Sequence, residues 1–239
     1  MITLTTVGTG SRGNAYILRD GNWQFLLDAG VPWKSIQKAC EYQPLDGAVC
    51  SHWHGDHVDG AKQVSRYGCD VYAGDEAAQG IAERTGARIR PLKPQKVHNI
   101  NGWNVLCFPL PHEDVPNYGF VIRSPVSYHK LAYLTDFGYT KYRFKQLHVD
   151  SLLISCNHMD NPEAFAGSEN FGHVVRGHSS LSVVKEIIAV NQTDALRNII
   201  LCHISEENGD PDEMARQIRQ IAGENVTVHI AEKNTAITL

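Results

Sequence analysis

Several features that would assign this chain early are missing from it. Its six cysteines (Cys40, Cys50, Cys69, Cys107, Cys156 and Cys202) contain no CxxC pair, so a disulfide framework is not expected. Those inside apolar runs, as in Gly47-Ala48-Val49-Cys50, read as small core residues of a protein kept in a reducing compartment. No apolar stretch approaches the length of a membrane span. Met1-Ile2-Thr3-Leu4 carries neither the basic nor the apolar region of a signal peptide, which points to a cytoplasmic protein with no membrane association. Excess basic charge is missing too: the formal net charge is −4, so no global field holds polyanions. Linkers, repeats and low-complexity segments are absent. With 239 residues, 42% hydrophobic and 20% charged, residues 1–239 read as one globular domain.

What is present alternates between short β-type runs and amphipathic segments. Residues 2–7, 15–18 and 24–28 read as strands, with Asp20-Gly21-Asn22 as a hairpin turn. Helices are expected at 35–42, 59–67 and 75–85, the last capped by Asp75 and stopped by Gly86. Strands are expected at 48–51 and 71–73. A β-rich middle follows at 88–92, 97–100, 104–109, 118–123 and 130–134. Beyond it come strands at 151–155 and 198–203 and a helix at 180–190. Asp210-Pro211-Asp212-Glu213 opens a last helix with an N-cap Asp and Pro at the first position. Gly223 ends it, and strands at 226–230 and 235–238 close the chain. Residues 157–177 form the longest stretch without periodicity, and loops of that length are commonly functional.

The densest chemical signal is Ser51-His52-Trp53-His54-Gly55-Asp56-His57, directly after an apolar strand. Imidazoles and carboxylate at this spacing suit a borderline-soft divalent metal, zinc above all. In an extended segment His52 and His54 point to one side, while a helix starting near Asp56 projects Asp56 and His57 toward a second ion. Such a cluster at a strand end suggests an open hydrolytic site rather than a closed structural finger. Three further candidates also follow apolar runs: His112, Asp136 and His203. Asp28, after Gln24-Phe25-Leu26-Leu27, reads instead as a carboxylate that orients a ligand from behind. His98, His129, His148, His173 and His229 sit in polar or turn contexts and read as structural or surface residues.

Taken in order, Leu27-Asp28-Ala29-Gly30, the HxHxDH run at 52–57, His112, Asp136 and His203 resemble the motifs of the metallo-β-lactamase superfamily over essentially the whole chain. The resemblance implies an α/β protein, an αββα sandwich of two mixed sheets with helices on both outer faces. It also implies a centre for two divalent metal ions, zinc or manganese, at one edge of the sheets. One ion would be held by His52, His54 and His112, and the other by Asp56, His57 and His203, with Asp136 bridging. Three stretches look like the YycJ/WalJ-like subgroup of nucleases: Gly8-Thr9-Gly10-Ser11-Arg12-Gly13-Asn14-Ala15, Ser155-Cys156-Asn157-His158-Met159-Asp160 and His203-Ile204-Ser205-Glu206-Glu207-Asn208. Arg176-Gly177-His178-Ser179-Ser180 is similar to an element of phosphodiesterase branches whose His helps protonate the leaving oxygen, and so implies that role for His178.

Departures narrow the choice. The tRNA-processing branch pairs its catalytic His with a Glu where this chain reads Ser155-Cys156-Asn157-His158. A long exosite arm and an inserted second nuclease domain are also missing from the sequence. The expected activity is therefore metal-assisted phosphodiester hydrolysis with Asp56, Asp136 and His178 as catalytic residues. DNA is the expected substrate, cut exonucleolytically from a 5′ end, with Asn157, His158 and Arg176 as candidate phosphate contacts. Two bound ions would make a locally cationic cleft on a mildly acidic protein. The rival within the same chemistry is a small-substrate phosphodiesterase acting on cyclic nucleotides. A thioesterase or lactamase fits the 176–180 element less well, and a non-catalytic binding module is disfavoured because every ligand position is filled.

Overall fold

The computed structural model describes residues 1–113, 115–160 and 177–239. Three antiparallel strands open the chain: β1 (Ile2–Gly8), β2 (Ala15–Asp20) and β3 (Trp23–Leu27), the last two joined at Gly21-Asn22. Next come β4 (Gly47–Cys50), β5 (Val71–Gly74) and β6 (Ile89–Leu92), all parallel to β3. The crossovers are helical: α1 (Trp33–Ala39), α2 (Gly55–Val58), α3 (Ala61–Arg66) and α4 (Asp75–Thr85).

A second sheet starts with antiparallel strands β7 (Val97–Ile100), β8 (Trp103–Leu110), β9 (Asn117–Arg123) and β10 (Lys130–Leu134). It continues with β11 (Ser151–Ser155), β12 (Asn198–Cys202) and β13 (Thr227–Ile230), parallel to β10. Two helices, α5 (Leu181–Asn191) and α6 (Pro211–Ala222), link the last three strands. Finally β14 (Thr235–Thr238) returns to pair with β1. Among the described residues the orders are β14-β1-β2-β3-β4-β5-β6 and β13-β12-β11-β10-β9-β8-β7, the αββα sandwich that the sequence led us to expect.

Strand periodicity explains how one segment serves two layers. On β8, Trp103, Val105 and Cys107 join the cluster between the sheets, whereas Phe108 and Leu110 face the opposite cluster. Likewise Ile200 and Cys202 of β12 point inward while Ile199 and Leu201 point outward, because successive side chains alternate across a strand. The outward set is covered by Leu181, Val184, Ile187 and Ile188 of α5 and by Met214, Ala215 and Ile218 of α6. That spacing is the single apolar stripe of a surface helix. All six cysteines are buried free thiols, and burial pushes the Cys69, Cys107 and Cys156 thiols up to about 12. No helix among the described residues is long and apolar enough to cross a membrane.

Three expectations need correction. The helix expected at 59–67 is shorter, α3 at Ala61–Arg66, and is set off from the separate turn α2 at Gly60, whose N–H donates to the Ala29 carbonyl at 2.7 Å. A Cβ there would lie 2.4 Å from the Val31 carbonyl oxygen, so the chain crossing at this point admits only glycine. Asp75 is the first residue of α4 rather than its cap, because Gly74 holds that position. The Asp75 carboxylate accepts from the Glu76 N–H and from Tyr118 Oη, each at 3.0 Å. The helix expected at 35–42 begins earlier, at Trp33 after Pro32, and stops at Ala39, since Glu41 and Tyr42 turn left-handed. Most of the aperiodic stretch, with His173 and Arg176, lies outside the described residues.

Strands β3, β4, β10, β11 and β12 end at one edge of the sandwich, and β8 runs in the same direction as β10. Residues just past carboxyl ends of parallel strands are where open α/β sheets gather their ligands.

Candidate metal centre

Strand β4 delivers Ser51 and His52 to that edge, and α2 begins immediately after His54. The His52 and His54 rings stand 4.6 Å apart, centroid to centroid, and His112 past the end of β8 closes on both at 4.9 and 5.0 Å. With Asp136 they form a group whose ligand atoms all lie within 4.8 Å of one another. The Nδ1 of His112 is 2.7 Å from the Gly177 carbonyl. A carbonyl only accepts, so Nδ1 carries the proton and the Nε2 lone pair faces His54. His52 Nδ1 sits 3.0 Å from Ser51 Oγ. Its Nε2, completely buried, has no hydrogen-bond partner among the described residues. A buried, unpaired nitrogen is costly in a protein interior, and a metal ion satisfies it.

A second group consists of Asp56, His57, Asp136 and His203. His57 Nε2 lies 3.3 Å from Asp56 Oδ2 and 3.2 Å from Asp136 Oδ2. His203 reaches the same two carboxylates, at 3.4 Å from Asp56 and 3.1 Å from Asp136. Asp136 is thus common to both groups. Behind His57 stands Asp28, its Oδ2 at 2.6 Å from Nδ1. The Asp28 carboxylate also accepts from the Ser51 N–H at 2.7 Å and from Tyr133 Oη at 2.6 Å. This is the histidine–carboxylate support that fixes a ligand ring and its tautomer.

Electrostatics divide the two groups. Burial, reinforced by neighbouring imidazoles, holds His52, His54 and His112 below the usual histidine range. For His57 burial also disfavours the cation, but Asp136 and Asp28 together outweigh it and raise the ring well above that range. Burial alone would raise both acids of the centre. His203 and His57 contacts instead hold Asp56 down, and the His203, His57 and His178 charges do the same for Asp136. Neutral His52, His54 and His112 beside ionised Asp56 and Asp136 are donors that zinc and manganese accept, and His57 would release its proton on binding one.

The remaining sequence candidates divide. His178 is 10% exposed and its Nδ1 lies 4.0 Å from Asp136 Oδ2. Its ring stacks on His203 at 5.4 Å and 17°. It therefore belongs to the centre while standing outside both ligand groups. Asn157 is turned inward: its amide donates to the His203 carbonyl at 2.9 Å. His158 is buried, with Nδ1 at 2.8 Å from the Met159 carbonyl. Arg176 lies outside the described residues. His98, His129 and His229 bond elsewhere, to Lys93, Ser151 and Asn198.

Sequence reasoning missed several supports. Asn14 places its amide 3.1 Å from His57 Nε2 and 3.3 Å from Asp56 Oδ2. Thr9 accepts the His203 N–H at 3.0 Å, and Asn117 donates to the Asp136 carbonyl at 2.6 Å. The Gly8–Ala15 stretch was itself conspicuous, so Asn14 had a signal; Asn117, inside an ordinary β-run, had none. Gly30 has a mechanical reason, because a Cβ there would meet the Asp56 carbonyl oxygen at 1.7 Å.

The sequence profile described as "Beta-lactamase superfamily domain" matches residues 23–204. With this architecture and this pair of ligand groups, the chain belongs to the metallo-β-lactamase superfamily and has the scaffold of a metallo-hydrolase. A relative named exodeoxyribonuclease WalJ, from Streptococcus pneumoniae serotype 2, is 25% identical over 222 residues, spanning 84% of this chain and 81% of the relative. Among solved structures, the metallo-β-lactamase fold protein YhfI from Bacillus subtilis superposes with a TM-score of 0.75 at 19% identity, covering 100% of both chains. Human tRNase Z, short form, gives a TM-score of 0.67 at 17% identity over 99% of this chain and 98% of its own. At such identities the structural likenesses establish the fold.

Proposed function

We propose that this protein is a divalent-metal-dependent phosphodiesterase that degrades DNA exonucleolytically from the 5′ end. The observation that carries this reading is His178, an imidazole packed against the centre yet outside both ligand groups. His52, His54 and His112 would hold one ion, Asp56, His57 and His203 the other, with Asp136 shared. When bound, two such ions supply a hydroxide at neutral pH and a clamp for phosphoryl oxygens. The protein's own part is positional. Asp28 and Ser51 keep His57 and His52 aimed, and Asn14 does the same for Asp56. His178, its Nδ1 facing Asp136, is placed to hand a proton to the departing oxygen. The relative named as an exodeoxyribonuclease supports DNA over a small cyclic substrate, which the acidic net charge would otherwise favour.

Bis(p-nitrophenyl) phosphate hydrolysis tests the centre: Asp56→Ala and His54→Ala should abolish it in a protein that remains folded, and full activity in either would refute the ligand assignment. His178→Ala should lower turnover about 10²–10⁴-fold on DNA, whose leaving alkoxide needs a proton. It should cost much less on the nitrophenyl ester, whose leaving group does not. Equal losses on both would remove the acid role. End-labelled single- and double-stranded DNA, RNA and cyclic nucleotides, each with zinc or manganese, separate the exonuclease from its rival.

A further inference from the structure

A second face of the molecule has the makings of a nucleic-acid surface. Trp33 at the start of α1 and Tyr67 just past α3 stack at 5.2 Å and 15°. They line a cleft of about 290 Å³ together with Gln37, Tyr42 and Pro44. Tyr67 is 64% exposed and Tyr42 76% exposed, so aromatic surface lies open to solvent.

Charge sharpens the picture. Lys34 and Lys38 of α1 and Lys62 and Arg66 of α3 are all exposed, and neither helix contains an acidic residue. The nearby acids are already engaged: Glu41 with Arg19 at 2.6 Å, Asp59 with Arg84 at 3.4 Å, and Asp70 with Arg88 and Arg90 at 3.2 and 3.0 Å. None of the four cations has an ion-pair partner among the described residues. On a protein of net charge −4, exposed cations on the two helices that carry the stacked aromatics are the complement of a single strand. Phosphates meet the cations while bases stack on the rings. A protein partner would want an apolar patch, and the lysines argue against one.

We propose that the α1/α3 face is an accessory binding track for single-stranded DNA. Tyr67 is its stacking platform, with Trp33 behind it, and Lys34, Lys38, Lys62 and Arg66 contact phosphates. This rests on the DNA reading above and adds where the strand lies beyond the centre. α1 and α3 lead from the edge that carries the centre toward the opposite ends of β4 and β5, where Pro44 and Tyr67 line the cleft, so a strand held at the metals would run along these helices to reach it.

Hydrolysis-resistant phosphorothioate oligodeoxythymidylates test it by fluorescence anisotropy with the metal-loaded protein. Tyr67→Ala should weaken binding of oligomers longer than about 16 nucleotides by about tenfold, and leave oligomers of about 4 nucleotides unaffected. The double variant Lys34→Ala/Lys38→Ala should reduce the salt slope of log affinity by about 1.4, at ~0.7 per phosphate contact. Bis(p-nitrophenyl) phosphate turnover should stay within about twofold of wild type in every variant, since the track is remote from the reacting bond. Unchanged long-oligomer affinity and slope would overturn the track, as would equal losses on long and short oligomers. If the variants behave as expected while wild-type protein hydrolyses no phosphodiester, the track stands and the enzymatic reading falls.

Discussion

Asp28, Asp136 and His203 leave their strands with φ of 55°, 47° and 50°. A left-handed backbone costs a non-glycine residue about 1–3 kcal/mol, although Asp and His tolerate it better than most. Each strained turn is tied down: Asp28 N–H to the Val49 carbonyl at 2.8 Å, the Asp136 carbonyl to Asn117, and His203 N–H to Thr9. The strain aims three side chains across the sandwich edge. Asp28 is the most exposed to test. Its replacement in Asp28→Ala would leave the Ser51 N–H and the Tyr133 hydroxyl without their acceptor and free the His57 ring to turn. We predict a loss of about 10–100-fold in zinc or manganese affinity at the Asp56, His57 and His203 group, read by titration calorimetry as weakening of one class of sites. Unaltered affinity would mean that His57 needs no support. The role of Asp28 was legible from its place after an apolar strand. That of Tyr133 was not, because its hydroxyl finds its acceptor 105 residues away in sequence.

Helices and strands were the readable scale, because caps and periodicity are local. Asp210 accepts the Glu213 N–H at 3.0 Å and Pro211 follows it in the first turn of α6. Gly223, at φ 85°, stands at the C-cap. Asp210→Ala should therefore destabilise the protein by about 1 kcal/mol, a fall in melting midpoint of about 2–4 °C for a chain this long, with metal content unchanged. A fall in metal content would show that α6 bears on the centre rather than only covering β12 and β13. Elements went wrong where a distant partner intervened. Tyr118 shares the Asp75 carboxylate with the Glu76 N–H, and the Ala29 carbonyl takes the Gly60 N–H and so delays the start of α3. Neither contact leaves a trace in local sequence.

Across the whole molecule, the centre exists only when the sandwich is closed. Its candidate ligands run from His52 to His203 and come from both sheets, so the unfolded chain cannot present them together. Ions held by the native state alone stabilise it by about 2.7 kcal/mol per site at a hundredfold excess over Kd. Chelation should accordingly lower the thermal midpoint by about 5–10 °C for each site emptied and return it on adding zinc or manganese. Far-ultraviolet circular dichroism should stay unchanged below the transition, since both apolar clusters close without these residues. A midpoint indifferent to chelator would contradict a resident metal.

Ligand chemistry is a property of side chains, and strand or helix period a property of short segments. The sequence by itself therefore determined which imidazoles and carboxylates are available, their order, and the sandwich that carries them. Proximity is another matter, because it is set by how two sheets pack. Only the tertiary structure set Asp28 behind His57 and stacked His178 on His203. It also turned Asn157 inward, and brought Trp33 against Tyr67. Each of these depends on contacts between segments far apart in the chain, and no local pattern encodes such distances.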